Sequence, residues 1–124
     1  VDDLPESWNQ KVAEYFGIKV PDDAHGVLQD IHWSHGTLGY FPTYSLGNLY
    51  AAQIFRAISR DIKDLDKRFA DGDFKPFLQW LRQNIHRHGR RYRPNELIEK
   101  ITGEPLNPRY LIDHLKRKVE LQPE

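Results

Sequence analysis

Residues 24–53 carry most of the side chains able to do chemistry. Within them lie Gln29, Asp30, three histidines (His25, His32 and His35) and the tyrosines Tyr40 and Tyr44, with glycines between and few lysines or arginines. Solvated loops usually carry charge. A polar stretch without charge, rich in rings and glycines, reads as the lining of a cleft. Glycine lets the backbone approach a ligand, and Tyr and His offer hydrogen bonds from semi-apolar bodies. His25, His32 and His35 also raise a metal reading, because imidazole is a common zinc ligand. Their spacing is not that of a recognised site, and no Cys accompanies them. The plainer reading is hydrogen-bonded histidines beside Asp30 and Gln29.

The remaining text must position this segment, and its punctuation is helical. Pro5 suits a first helical turn, Trp8, Val12, Tyr15 and Phe16 follow helical spacing, and Gly17 closes the segment. Tyr15, Tyr50 and Tyr110 fall on helix stripes and are predicted to be core. Asp22-Asp23 caps a short helix near Ala24. Gly36, Gly39 and Pro42 forbid a long regular element. A long helix is predicted from about Ser45, with Leu46, Leu49, Tyr50, Ile54, Ala57, Ile58, Ile62 and Leu65 in one buried stripe. Asp71-Gly72-Asp73 ends that region and caps the next helix, whose stripe is Phe74, Phe77, Leu78, Leu81 and Ile85, with Gly89 as a left-handed C-cap. Pro94 opens a helix stopped by Gly103. Asn107-Pro108 caps a last one, with Leu111, Ile112, Leu115 and Val119 inward. No segment alternates strictly, so the expected fold is all-α. The 124 residues read as a single helical domain, a cleft-forming segment 24–53 followed by a helical tail 54–124.

Composition narrows the function. Eighteen Lys and Arg balance eighteen Asp and Glu, which argues against a general nucleic-acid binder. The one basic run, His86 to Arg93, reads either as a nucleic-acid or acidic-partner patch or as cations at a helix C-terminus, the second being the plainer. There is no Cys for a disulfide or thiolate site, and no apolar run is long enough to cross a membrane. A cytoplasmic location is expected.

Gly26-Val-Leu-Gln29-Asp30-Ile-His32-Trp33 fits the pattern Gly-x-x-Gln-Asp-x-His-Trp, and Gly39-Tyr40-Phe41-Pro42-Thr43-Tyr44, Leu46-Gly47 and Ala51-Ala52-Gln53 continue it. Gly89-Arg90, Tyr92, Pro94, Leu97, Thr102-Gly103 and Pro105-Leu106 extend it along the tail. The chain thereby resembles the carboxypeptidase Taq-type metallocarboxypeptidases. That resemblance implies a two-lobed helical gluzincin-like enzyme, about four times longer and homodimeric, that removes single residues from peptide C-termini with zinc or cobalt. Its metal helix, His-Glu-x-x-His, has no counterpart here, since no His is followed by Glu. The chain then corresponds to the C-terminal quarter, inactive alone and separated from its N-terminal catalytic part, with no metal ligands of its own. By the same resemblance Tyr44 is the nominated oxyanion donor. His32 is a second donor or a ligand of the substrate backbone. Gln29, Asp30, His35 and Tyr40 are nominated for substrate binding, Asp30 also for orienting an imidazole. Two other readings stand beside this one: a stand-alone helical module that binds peptides or a partner without catalysis, and a small metal-binding protein built on His25, His32 and His35.

Overall fold

The computed structural model describes residues 2–120. These are helical with no strand among them, and they gather into two compact units, one running to Tyr44 and the other starting at Ser45.

In the first unit α1 spans Leu4–Phe16. Pro5 sits in its first turn, where the missing N–H costs nothing, and Gly17 ends it at φ 67°, donating its N–H to the Ala13 carbonyl. Tyr15 and Phe16 are exposed, so the expectation that Tyr15 is core is wrong. Instead of one short helix near Ala24, three successive 3₁₀ turns follow: Asp23–His25, Val27–Gln29 and Ile31–His35. Side chains open two of them. Asp22 accepts the His25 N–H at 2.9 Å and Asp30 accepts the His32 N–H at 3.1 Å. Such local bonds compete with α-helix and favour short turns. The second turn packs on α1. Gly26 lies deep in this arrangement, where an added Cβ would stand 2.6 Å from Val20 Cγ1. Val27 is the one buried hydrophobic residue described in this unit.

Helix α2 spans Pro42–Asp61, beginning in the first unit and running into the second. It starts at Pro42 rather than near Ser45, because proline is well suited to a first helical turn. It also ends before Leu65. Asp64 takes a left-handed conformation, φ 57°, and Leu65 opens α3, Leu65–Ala70. α4 follows at Lys75–Asn84, α5 at Pro94–Thr102 and α6 at Arg109–Glu120. Ala57, Ile58, Leu65 and Trp80 form the core, with Ile54, Ile62, Phe69, Phe77, Leu81, Ile85 and Ile101 packed against it.

Several finer expectations for this unit need correction. Asp73 does not cap α4, since its carboxylate is held by Arg68 at 2.8 Å. Gly89 follows a 3₁₀ turn, His86–His88, at φ 54° and ψ −124°, so it is not a left-handed helical cap. Leu46, Phe74 and Leu78 are exposed. So are Ile112, Leu115 and Val119 on α6, which were expected to face inward. The apolar periodicity of α6 is real, but the described residues supply no layer to cover it. Tyr50 and Tyr110 are half-buried rather than core, and each hydroxyl donates to a side chain, Asn95 and Glu104 respectively.

Candidate functional site

The site is built on the Asp30 turn. One carboxylate oxygen of Asp30 accepts the backbone N–H of His32 and meets the His32 ring nitrogen Nδ1 at 2.6 Å. The Asp30 side chain is only 7% exposed, so this carboxylate is withdrawn from water and committed to His32. The His32 carbonyl is fixed in turn by the Thr37 hydroxyl at 2.8 Å and the Thr37 N–H at 3.0 Å. Backbone and ring of His32 are therefore both held.

The chain then reverses. Gly36 at φ 71° and Gly39 at φ 76° take left-handed conformations that other residues rarely adopt. The reversal brings three rings back to His32. Tyr40 lies 4.8 Å from it between centroids, Tyr44 5.6 Å and Phe41 6.2 Å, and Tyr40 meets Tyr44 edge-on at 5.7 Å. The Tyr44 hydroxyl lies 3.3 Å from His32 Nε2. Asp30, His32 and Tyr44 thus form a continuous chain of polar atoms. Its outer end is open, because Tyr44 is 56% exposed and Tyr40 47%.

Proton bookkeeping limits what this chain can do. With an Nδ1 proton facing Asp30, a neutral His32 presents a lone pair at Nε2, and the Tyr44 hydroxyl donates to it. Two ring N–H donors exist only in the singly charged imidazolium, where Nε2–H donates to Tyr44 and frees the hydroxyl proton for another acceptor. In the imidazolium state Tyr44 is the group at the exposed end with a proton to offer; in the neutral state that proton is engaged with His32 Nε2 until a stronger acceptor arrives.

Of the nominated residues, Asp30, His32, Tyr40 and Tyr44 come together. Gln29 is exposed and its side-chain amide donates to the Ala24 carbonyl, so a donor nominated for substrate is spent within the loop. His35 is exposed on the same turn and enters none of the ring pairs around His32. His25 pairs instead with Asp22 at 2.7 Å, and this bond holds the Asp22 carboxyl below its ordinary range. The three histidines do not converge. Among the described residues no group of three His, Cys, Asp or Glu side chains is placed to hold a metal ion. Phe41 and Thr37 were not singled out from the sequence, yet one adds a ring to the cluster and the other fixes the His32 carbonyl. Their signal was their place inside the Gly36–Tyr44 reversal.

A family model described as carboxypeptidase Taq (M32) metallopeptidase matches residues 1–119. The chain belongs to the carboxypeptidase Taq family. Carboxypeptidase 1 of Bacillus subtilis is 48% identical over 95% of this chain, and thermostable carboxypeptidase 1 of Thermus thermophilus is 47% identical over 94%. The chain spans about a quarter of these relatives, 24% and 23% of their lengths. The apo-Mg structure of the Pyrococcus furiosus carboxypeptidase superposes with a TM-score of 0.89 at 44% identity, over 94% of this chain and 24% of that one. The all-α fold is thus that of the C-terminal part of carboxypeptidase Taq family structures. The family is one of metallopeptidases, and the residues described here do not fit the metal, since no donor set is assembled among them.

Proposed function

We propose that this chain works as the substrate-side element of a metallocarboxypeptidase, removing single residues from peptide C-termini, with the metal (zinc or cobalt) held by residues outside it. The observation that carries this reading is the line from buried Asp30 through His32 to the exposed Tyr44 hydroxyl, at 2.6 and 3.3 Å. Family membership and the names of the relatives support the activity, and the hydrogen-bond line supports the roles.

Peptide hydrolysis passes through a tetrahedral carbon bearing an oxyanion, and donors aimed at that oxygen lower the barrier because they bind it more strongly than the ground-state carbonyl. Tyr44 is the donor in this reading. His32 keeps the hydroxyl in place before substrate arrives, and Asp30 keeps the imidazole from rotating. The rings of Tyr40 and Phe41 hem His32 in and offer an apolar wall to a substrate side chain. Asp30 positions, and Tyr40 binds. Gln29 and His35 remain substrate-binding nominees on the resemblance alone.

The test is Tyr44→Phe in the active carboxypeptidase. It removes one hydroxyl and keeps the ring. kcat is expected to fall about 100–1,000-fold with KM nearly unchanged, the cost of one oxyanion donor. An unaltered kcat with a lowered melting temperature would retire the assignment.

A further inference from the structure

The basic run His86–Arg93 has no part in the reaction just described. It forms the 3₁₀ turn His86–His88, then Gly89, then a lead-in that reaches α5 at Pro94. A pocket of about 660 Å³ opens against this lead-in. Ile54 of α2 and Leu97, Ile98 and Ile101 of α5 line it with apolar surface, while Arg90, Arg91 and Arg93 line it with positive charge. The volume lies within the roughly 300–1,000 Å³ typical of small-molecule sites.

The charge is gathered and unneutralised. Arg91 and Lys100 both lie against the Tyr92 ring, at 5.8 and 5.5 Å from its centroid. Among the described residues none of Arg87, Arg90, Arg91, Arg93 and Lys100 pairs with a carboxylate. Glu96 is the one carboxylate lining the pocket, and it accepts the Arg93 backbone N–H at 2.9 Å, closing the N-terminus of α5. The crowding is felt nearby. Partial burial first, then the charges of Arg87, Lys100 and Arg91, hold the half-buried His88 below the ordinary histidine value.

Cations kept together over apolar surface repel one another, and an anion placed among them relieves that repulsion. Guanidinium groups match a carboxylate with paired hydrogen bonds, and the isoleucine and leucine surface below would cover an aliphatic body. We propose that this pocket is a binding site for a small carboxylate carried on an aliphatic body. Two sources share that chemistry, an aliphatic peptide C-terminus and a short fatty acid. The site shares no residue with the His32 cluster and does not depend on the catalytic reading.

Titration of the protein with N-acetyl-leucine and with octanoate, followed by calorimetry or by NMR shifts of the Tyr92 ring, tests this. Saturable binding of at least one is expected, the tighter naming the source. N-acetyl-leucinamide, which lacks the carboxylate, and inorganic phosphate, which lacks the aliphatic body, are each expected to bind at least about tenfold more weakly. Arg91→Gln combined with Lys100→Gln is expected to weaken the carboxylate about tenfold or more, and Arg91→Lys alone, which keeps the charge but loses the paired hydrogen bonds, is expected to weaken it by a smaller factor. Both positions are exposed, so the fold should survive, and unchanged circular dichroism verifies it. Absence of saturable carboxylate binding, equal binding of the amide, equal binding of phosphate, or indifference to the double substitution would each overturn the proposal.

Discussion

The two polar centres of this molecule are built in opposite ways. Around His32 a single buried carboxylate anchors a line of groups that ends in open rings, and one hydrophobic residue, Val27, is buried nearby in sequence. Around Gln53 the polar group is itself almost fully buried, 1% exposed, and every polar atom of its side chain is bonded. Its amide nitrogen reaches Thr102 Oγ1 at 3.0 Å and the Pro105 carbonyl at 3.1 Å, and its oxygen accepts the Asn107 N–H at 2.8 Å. The first centre ends in a hydroxyl open to solvent, and the second leaves no side-chain polar atom open. A buried network whose members are all paired fixes structure, whereas an open one is available for chemistry. The first unit accordingly holds its shape with Gly26, Gly36, Gly39 and short turns, the second with apolar burial.

That contrast is broken most directly at Ile58, 1% exposed in the second unit's core. Ile58→Ala should cost about 2–5 kcal/mol in chemical denaturation, through lost burial and the cavity left behind. The environment of the His32 cluster, read by the NMR shifts of its rings, should move little as long as the chain remains folded. A loss near zero would mean that the core is not where the stability of the second unit resides.

Gln53 comes next. Gln53→Leu keeps the volume and removes four hydrogen bonds, leaving the Asn107 N–H and the Pro105 carbonyl without their side-chain partner. The expected cost is about 1–3 kcal/mol. Faster amide exchange at Asn107 should accompany it, and protection equal to that of the unaltered chain would show that water or another group replaces the amide.

Asp30→Asn sharpens the comparison from the other side. The replacement keeps an acceptor for the His32 N–H but removes the charge that holds the ring. In the active enzyme kcat is expected to drop about ten- to a hundred-fold, by analogy with carboxylates that orient metal-ligating imidazoles. The melting temperature should shift far less than for Gln53→Leu. Equal damage to stability and no effect on kcat would make Asp30 a turn-former only.

What the sequence disclosed follows the same division. Helical periodicity located α2, α4, α5 and α6, because each carries apolar residues at a 3.6-residue spacing. It overreached at Leu65, where a left-handed Asp64 separates two helices whose stripes happen to be in phase. It overreached again on α6, where the stripe is genuine but Leu115 and Val119 stay exposed. The first 3₁₀ turn was legible through Asp22 as a capped start near Ala24, but the other two leave no period, and the Asp30 side-chain bond that opens the third is not marked by spacing. Gln53 was quoted only as part of a motif. Its partners lie 49 to 54 residues away, so its bracket is a property of the folded chain. Asp30, His32 and Tyr44 were legible through the Gly-x-x-Gln-Asp-x-His-Trp pattern and the reversal after it. The local commitment of Gln29 was not, since nothing in its neighbours' identities marks the Ala24 carbonyl as its acceptor.

The smallest expected effect is electrostatic and belongs to the second unit. The Asp61 carboxylate bonds Arg60 Nε at 2.9 Å and the Trp80 indole N–H at 2.9 Å. Arg60 first and Trp80 second hold its carboxyl below the ordinary aspartate value. A depressed folded-state value means stability that is present above the unfolded aspartate range, near pH 4, and lost as pH falls through the folded value. The Asp61 side chain is 38% exposed, so water and salt screen the contribution to below about 1 kcal/mol. Asp61→Asn keeps an acceptor for the indole and removes the titration. Near pH 6 the variant should therefore melt slightly below the unaltered chain, and the gap should narrow as pH falls toward and below 3. Added salt should shrink the gap at pH 6. A gap that stays constant from pH 6 to pH 3 would show that the aspartate acts through packing on Trp80 rather than through its charge. It would then place Asp61 with Gln53, as a neutral bracket of the core.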